Sequence, residues 1–300
     1  MTNIKSLLLG LACVAGSTIQ VFAQTDSTGM PGDNFSLQGA LEMFKQSGSP
    51  EEFEKKINEK DNNVNNLDLN DDGETDYIQV IGKTDNNVHA FILRVAISET
   101  ENQDIAVIEL EKNGDKSAII QIIGDEEIYG EAVIAEPSEE GDEVLDDNNK
   151  TGNGPSADFY DPERIVVNVF LWPCVQFSFR PAYIPWVSPW RWGHYPNWWK
   201  PWRPLRWHVF HPRRLHFHRH FAVVHTHRVL HAHRVYTPHR TSSVIVRNRT
   251  VVVRNNYRTN RSSRQFINRQ KVNSQNNNNG NREGKEKKEK IRENRKGRKG

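Results

Sequence analysis

Residues 88–124 read VHAFILRVAISETENQDIAVIELEKNGDKSAIIQIIG, and the fold follows from how their apolar positions alternate. Phe91, Leu93, Val95 and Ile97 fall on one side of an extended chain, with Ile92 and Arg94 on the other, because successive strand side chains point to opposite faces. The pattern resumes in DIAVIELE and SAIIQIIG. Asn113-Gly114 between these two runs predicts a hairpin, since a type I′ turn needs positive φ at both central positions. Alternation of this kind suits an antiparallel sheet with one face covered.

Upstream, DYIQVIGK and NNVNNLDL extend the strand pattern, and two helices precede them as the obvious cover. In SLQGALEMFKQS, Leu37, Leu41 and Phe44 stand at helical spacing. The next helix announces its start: Ser49 is an N-cap residue, Pro50 suits the first helical position, and Glu52 completes a capping box, with Phe53 and Ile57 on one face. Residues 37–135 therefore predict an α+β domain of two helices and an antiparallel β-meander. It is long enough for one core and carries its own turn signals, so it is expected to fold alone.

The remainder of the chain is different in kind. Hydrophobic content of 36% and a mean hydropathy of −0.75 are low for 300 residues folded from end to end. The net charge of +2 averages two opposite halves: residues 1–160 hold 10 Lys/Arg against 32 Asp/Glu, and the other 140 hold 30 against 6. That asymmetry predicts association with polyanions, or of the two halves with each other. Residues 136–164, opening EPSEEGDEVLDDNNK, read as an acidic disordered linker. Residues 165–254 are rich in Trp, Pro, Arg and His. Ile165–Leu171 and Val244–Val253 have strand composition, but prolines from Pro173 to Pro212 interrupt helices and exclude a central strand, leaving an irregular, turn-rich path. Residues 255–300 read as a disordered basic tail.

The N-terminus has Lys5, an apolar run from Leu7 to Ala15 and Val21-Phe22-Ala23 before Gln24, the pattern of a secretory signal over residues 1–23. Lipidation at Cys13 is the competing reading, disfavoured by Gly10 where a large aliphatic residue is wanted. Signal removal leaves Cys174 as the sole cysteine, without a disulfide or a CxxC site, and leaves no apolar run long enough for a transmembrane helix. The expected location is periplasmic, cell-surface or extracellular.

Three features point to chemistry. DLNDDGETD opens like an EF-hand loop: Asp68, Asn70, Asp72 and Asp76, with the Glu74 carbonyl, offer hard oxygens for calcium around Gly73. Position twelve is Gln79 instead of a bidentate glutamate, so a metal-free Asx-rich turn competes with that reading. The second feature is a six-residue repeat, HTHRV followed by HAHRV, which on a continuous strand places His225, His227, His231 and His233 on one face. Imidazoles so arranged suit zinc, copper or nickel. No carboxylate stands near them in the sequence, and a solvated basic face is the alternative.

The third feature is the arginine-rich block itself. Arg191, Arg203, Arg206, Arg213, Arg214, Arg219, Arg228 and Arg234 are candidate polyanion contacts, because guanidinium forks onto phosphate and carboxylate and stacks on aromatic rings. The eight tryptophans between Trp172 and Trp207 can pack among these residues, form a platform for sugars or bases, or form an interface belt. No nucleophile elbow, zinc-protease motif, phosphate loop or dinucleotide fingerprint stands in a plausible context, so a non-enzymatic role is expected.

Four stretches, EKDNNVNNLDLNDDGETDYIQVIG, SETENQDIAVIELEKNG, IPWVSPWRWGHYPNWWKPWRPLRWHVFHP and VVHTHRVLHAHRVYTPHR, resemble a group of secreted Bacteroidota proteins with a Trp/Pro/Arg/His-rich C-terminal half. The resemblance implies export and the two-part layout and supplies no activity. The expectation is an exported interaction protein whose basic aromatic half binds a polyanionic envelope or extracellular component: an anionic glycan, a lipid headgroup or a nucleic acid. The alternative is a metal-binding protein using the histidines for a transition metal and the Asp-rich loop for calcium.

Overall fold

The computed structural model describes residues 27–139 and 166–263; the expected signal peptide, most of the linker and the tail beyond residue 263 lie outside them. Helix α1 (Leu37–Gln46) starts at Ser36, whose hydroxyl accepts the Gly39 N–H. Helix α2 (Pro50–Ile57) starts at Ser49, which accepts the Glu52 N–H at 3.2 Å. The Glu52 carboxylate reaches back to the Gly48 N–H at 2.8 Å, so the capping box closes one residue upstream of its usual donor.

Four strands form the meander read from the sequence: β1 (Ile78–Asp85), β2 (Val88–Ala96), β3 (Asn102–Gly114) and β4 (Ser117–Gly124). A short helix, α3 (Glu126–Tyr129), leads to β5 (Val133–Pro137). The fold is α+β, with one six-stranded antiparallel sheet in sequential order. Its sixth strand, β6 (Phe221–Val224), comes from the Arg/His-rich segment. That segment also supplies helices α4 (Pro173–Ser178), α5 (Trp207–Arg214) and α6 (Leu230–Tyr236), and a helix, α7, over residues 244–263. Among the described residues no helix is long and apolar enough to cross a membrane.

Helices α1 and α2 cover one face of the sheet. Phe44 packs edge-on to Phe53 at 5.2 Å and against Phe91 at 5.1 Å, above Leu93, Ile108 and Ile122. The same core takes in Val169, Cys174, Val175, Phe217, Phe221 and Val246. The other face is covered too: Ala90, Ile92, Val107 and Ile123, beside Ile134 and Val224 of the same sheet, pack against Val229 and Tyr236. The expected open face is covered, and residues of the 165–254 segment join the cores on both faces of the sheet.

The C-terminal segment also occupies both sheet edges, which would otherwise expose unpaired backbone groups. β6 pairs along β5. At the opposite edge the Gly82 N–H donates to the Trp186 carbonyl at 2.6 Å and the Ser188 N–H to the Val80 carbonyl at 3.0 Å. Gly82 permits this close approach: a Cβ there would lie 3.0 Å from the Trp186 oxygen, so one of the two backbones would have to shift by a few tenths of an ångström. Buried Glu54 of α2 fastens this contact by accepting from Tyr77 Oη, the Val80 N–H, Trp186 Nε1 and Ser188 Oγ. Burial raises its pKa.

Several local expectations are corrected. NNVNNLDL is no sheet strand: Asn65 Nδ2 donates to the Asp76 carbonyl and Asn66 Oδ1 accepts the Leu205 N–H, so side-chain bonds replace a ladder. Residues 166–171 of the Ile165–Leu171 run form no strand, although the Val169 N–H reaches the Ala118 carbonyl. The β3–β4 turn sits at Asp115-Lys116, because a bulge between Lys112 and Gly114 carries Asn113-Gly114 into the strand. Val244–Val253 is helical, with Val246, Thr250 and Arg254 buried at a spacing of four, and α7 runs on to residue 263 inside the stretch read as tail. β5 likewise extends to Pro137, inside the stretch read as linker.

Candidate functional site

The outer face of the sheet carries a buried polar row. Glu109 of β3 stands opposite Gln121 of β4, and Gln121 Nε2 donates to Glu136 of β5 at 2.6 Å. Residues 226–233 lie on this row. Gln121 Nε2 also donates to the Thr226 carbonyl at 2.9 Å, the Arg228 N–H donates to Gln121 Oε1 at 2.7 Å, and the Arg228 guanidinium meets Glu136 at 3.3 Å.

Glu109 is the centre. Its side chain is fully buried; Oε2 lies 2.7 Å from His227 Nε2 and Oε1 lies 2.6 Å from His233 Nδ1. The two imidazole rings are 4.8 Å apart and nearly perpendicular, at 82°. The His233 ring bond to Glu109 raises the His233 pKa. One turn away, Glu111 accepts the His231 and Ala232 N–H groups at 2.7 and 3.0 Å, placing a carboxylate at the N-terminus of α6. At the other end of the row Asp104 is bound by Arg94 Nε at 2.6 Å and the Thr241 N–H at 2.9 Å.

The expected single histidine face is not formed, because the chain leaves β6 at Val224 and re-enters regular structure as α6. His227 and His233 converge, His231 goes to Glu111, and exposed His225 stays outside the group. Among the described residues, Glu109, His227 and His233 are the one set of three His, Cys, Asp or Glu side chains whose donor atoms lie within 4.8 Å of one another. The carboxylate that seemed missing comes from DIAVIELE. Its signal was visible as Glu109 and Glu111 at alternating positions of an otherwise apolar strand. His89 is a different case: it is buried among Phe91, Phe179 and Tyr183, and burial lowers its pKa to about 4.

The Asp-rich loop is organised around its own backbone. Asp68 accepts the Asp72 and Gly73 N–H groups, Asn70 accepts the Asp72 N–H, and Asp72 accepts the Glu74 N–H. These are Asx turns. Gly73 adopts the expected positive φ of 85°. Asp76 turns inward to accept the Leu69 N–H, and burial pushes its carboxyl up to about 8. No three carboxylates of the loop have oxygens within 4.8 Å of one another, and Asx turns organise its backbone.

The arginines divide into two populations. Arg228 is engaged with Glu136, and Arg214 is partly buried, donating to the Phe35 carbonyl at 3.2 Å. Arg191, Arg203, Arg206, Arg213, Arg219 and Arg234 are exposed and make no ion pair among the described residues. Arg240 and Arg247, by contrast, meet Asp125 at 2.7 Å and Glu127 at 3.0 Å. Of the tryptophans only Trp199 is buried, against Tyr77 and Tyr195; Trp198 is exposed and the rest are half-buried, Trp172 lying edge-on to Phe221. Trp202 lines a shallow cleft with Lys60, Asp61, Asn63 and Arg213. Cys174 is fully buried, and that burial raises its pKa, which leaves an unreactive thiol. No family model, curated protein or solved structure matches this chain.

Proposed function

We propose that this is a non-enzymatic exported interaction protein whose basic surface binds a polyanion: an anionic glycan, a lipid headgroup or a nucleic acid. The observation that supports this most is the division among the arginines. Arg191, Arg203, Arg206, Arg213, Arg219 and Arg234 stay exposed without a carboxylate partner among the described residues, while Arg228, Arg240 and Arg247 of the same segment pair with Glu136 of β5 and with Asp125 and Glu127 at α3. Several acids of the N-terminal half thus pair with arginines of the C-terminal segment, and the remaining guanidinium groups face outward. The cleft adds a recognition element: Lys60 and Arg213, against the single acid Asp61, line it together with Trp202, a combination suited to an anionic sugar or a base.

The test is a sixfold Arg→Gln variant at those positions, assayed on heparin, on anionic vesicles and on DNA across a salt series. Binding should weaken as salt rises, since counterion release drives it, and the variant should lose both affinity and salt slope. Unfolding of the variant should stay within about 0.5 kcal/mol per residue of the parent, as expected for surface substitutions. A variant that binds all three probes as the parent does would falsify the proposal, and the probe that retains specific binding identifies the class.

A further inference from the structure

We infer that Glu109, His227 and His233 form a binding site for one zinc-class divalent transition metal ion. The inference is independent of the polyanion reading, which uses none of these side chains.

Three observations carry it. First, the donor set is chemically selective: two imidazole nitrogens and one carboxylate suit zinc, copper or nickel, whereas calcium and magnesium require oxygen ligands. Second, the geometry focuses on a point. His227 Nε2 and His233 Nδ1 each sit within 2.7 Å of a Glu109 oxygen, and the rings meet at 82° instead of stacking, so both nitrogens face one small volume. Donors on a tetrahedral zinc are about 3.3 Å apart, from metal–ligand distances of about 2.0 Å. An ion between them requires each nitrogen–oxygen separation to lengthen by about 0.6 Å, and the three donor atoms already lie within 4.8 Å of one another. Third, the site has one closed and one open side. Glu109 is fully buried, while the His227 and His233 side chains are 22% and 40% exposed, which leaves an approach from solvent and room for a water ligand.

The six-residue repeat acquires a reason in this arrangement. His227 and His233 are the second histidines of HTHRV and HAHRV, so each copy contributes one ligand to Glu109, while the first histidines, His225 and His231, lie outside the trio. A bound ion would join β3 to two points of the segment that covers it, more than 100 residues away in the chain.

The competing account is a purely structural carboxylate with two hydrogen-bonded imidazoles. To separate them, the full-length protein is titrated with zinc at neutral pH by calorimetry, and cobalt is added in parallel as a spectroscopic probe. The comparison is between the pair His227→Gln with His233→Gln and the pair His225→Gln with His231→Gln, each checked for folding by circular dichroism. The site predicts one equivalent of zinc, a visible cobalt spectrum of nitrogen and oxygen ligation, a loss of affinity of about 100-fold or more in the first pair, and parental behaviour in the second. Glu109→Gln should act like the first pair; if it does not fold, the histidine pairs decide alone. Absence of stoichiometric zinc binding, or an equal loss in both pairs, overturns the site in favour of the hydrogen-bonded account.

Discussion

The meander of residues 78–124 and the wrap of residues 166–263 are ordered by different means. In the meander, order is local: each strand pairs with its successor, and the side chains alternate between two cores. In the wrap, order is borrowed. Leu205 is held by Asn66, Thr226 and Arg228 by Gln121, Ser243 by Gln103 and the α6 N-terminus by Glu111, contacts that span 105 to 140 residues. A segment without periodicity of its own can still be well ordered when a regular surface supplies the partners its backbone lacks. The sheet in turn depends on the wrap, since its acids, both its edges and one of its faces are satisfied there.

The most severe way to break this comparison is to separate the regions. A chain ending at residue 139 loses β6, the cover on the outer face, the His227 and His233 partners of buried Glu109 and the Arg228 partner of Glu136, so it should lose its cooperative unfolding transition altogether. A sharp thermal or urea transition in that fragment would show that the wrap is an accessory to a self-sufficient domain.

A finer comparison uses one aromatic residue from each region. Phe44 of α1 and Phe221 of β6 are both almost wholly buried in the same core. Phe44→Ala and Phe221→Ala should therefore each cost about 3–5 kcal/mol in urea unfolding, the range for large core truncations. A cost below about 1 kcal/mol at Phe221 alone would mean that the wrap contributes little to the core.

The smallest of these effects is a pH dependence that spans the boundary. His89 of β2 is 3% exposed and packs on Phe179 and Tyr183 of the wrap. Burial holds its pKa at about 4, below the value of about 6.5 expected when unfolded. Between those values the unfolded chain binds more protons. The contribution is thus whole above about pH 6.5 and is lost as pH falls through about 4, at about 3 kcal/mol in total. Stability of His89→Phe should fall less than that of the parent between pH 7 and 4. Parallel curves for the two proteins would show that the wrap does not desolvate this ring.

Much of the meander was legible because a strand's side-chain period survives in one dimension. Phe91, Leu93 and Val95 announced both strand and face, and the Ser49-Pro50 start of α2 was visible because a cap is made by residues three apart. The Asn113-Gly114 turn was placed two residues early, since a bulge is decided by the partner strand. Val244–Val253 carried β-branched residues that favour a strand, yet burial at every fourth position made a helix. The candidate site is half legible: the histidine repeat stands in the sequence, but a straight strand would put all four histidines on one face, whereas the chain bends into α6.

By itself the sequence determined that successive strands lie beneath two helices, the second with a visible cap, and that the chain is divided into acidic and basic halves, because periodicity, capping and charge are properties of neighbouring residues. Only the tertiary structure decided that the proline-broken segment closes both edges of the sheet, that six arginines remain without carboxylates among the described residues, and that Glu109 meets His227 and His233. Those pairings join residues 118 and 124 positions apart, and no local rule relates side chains at such distances until a shared core brings them together.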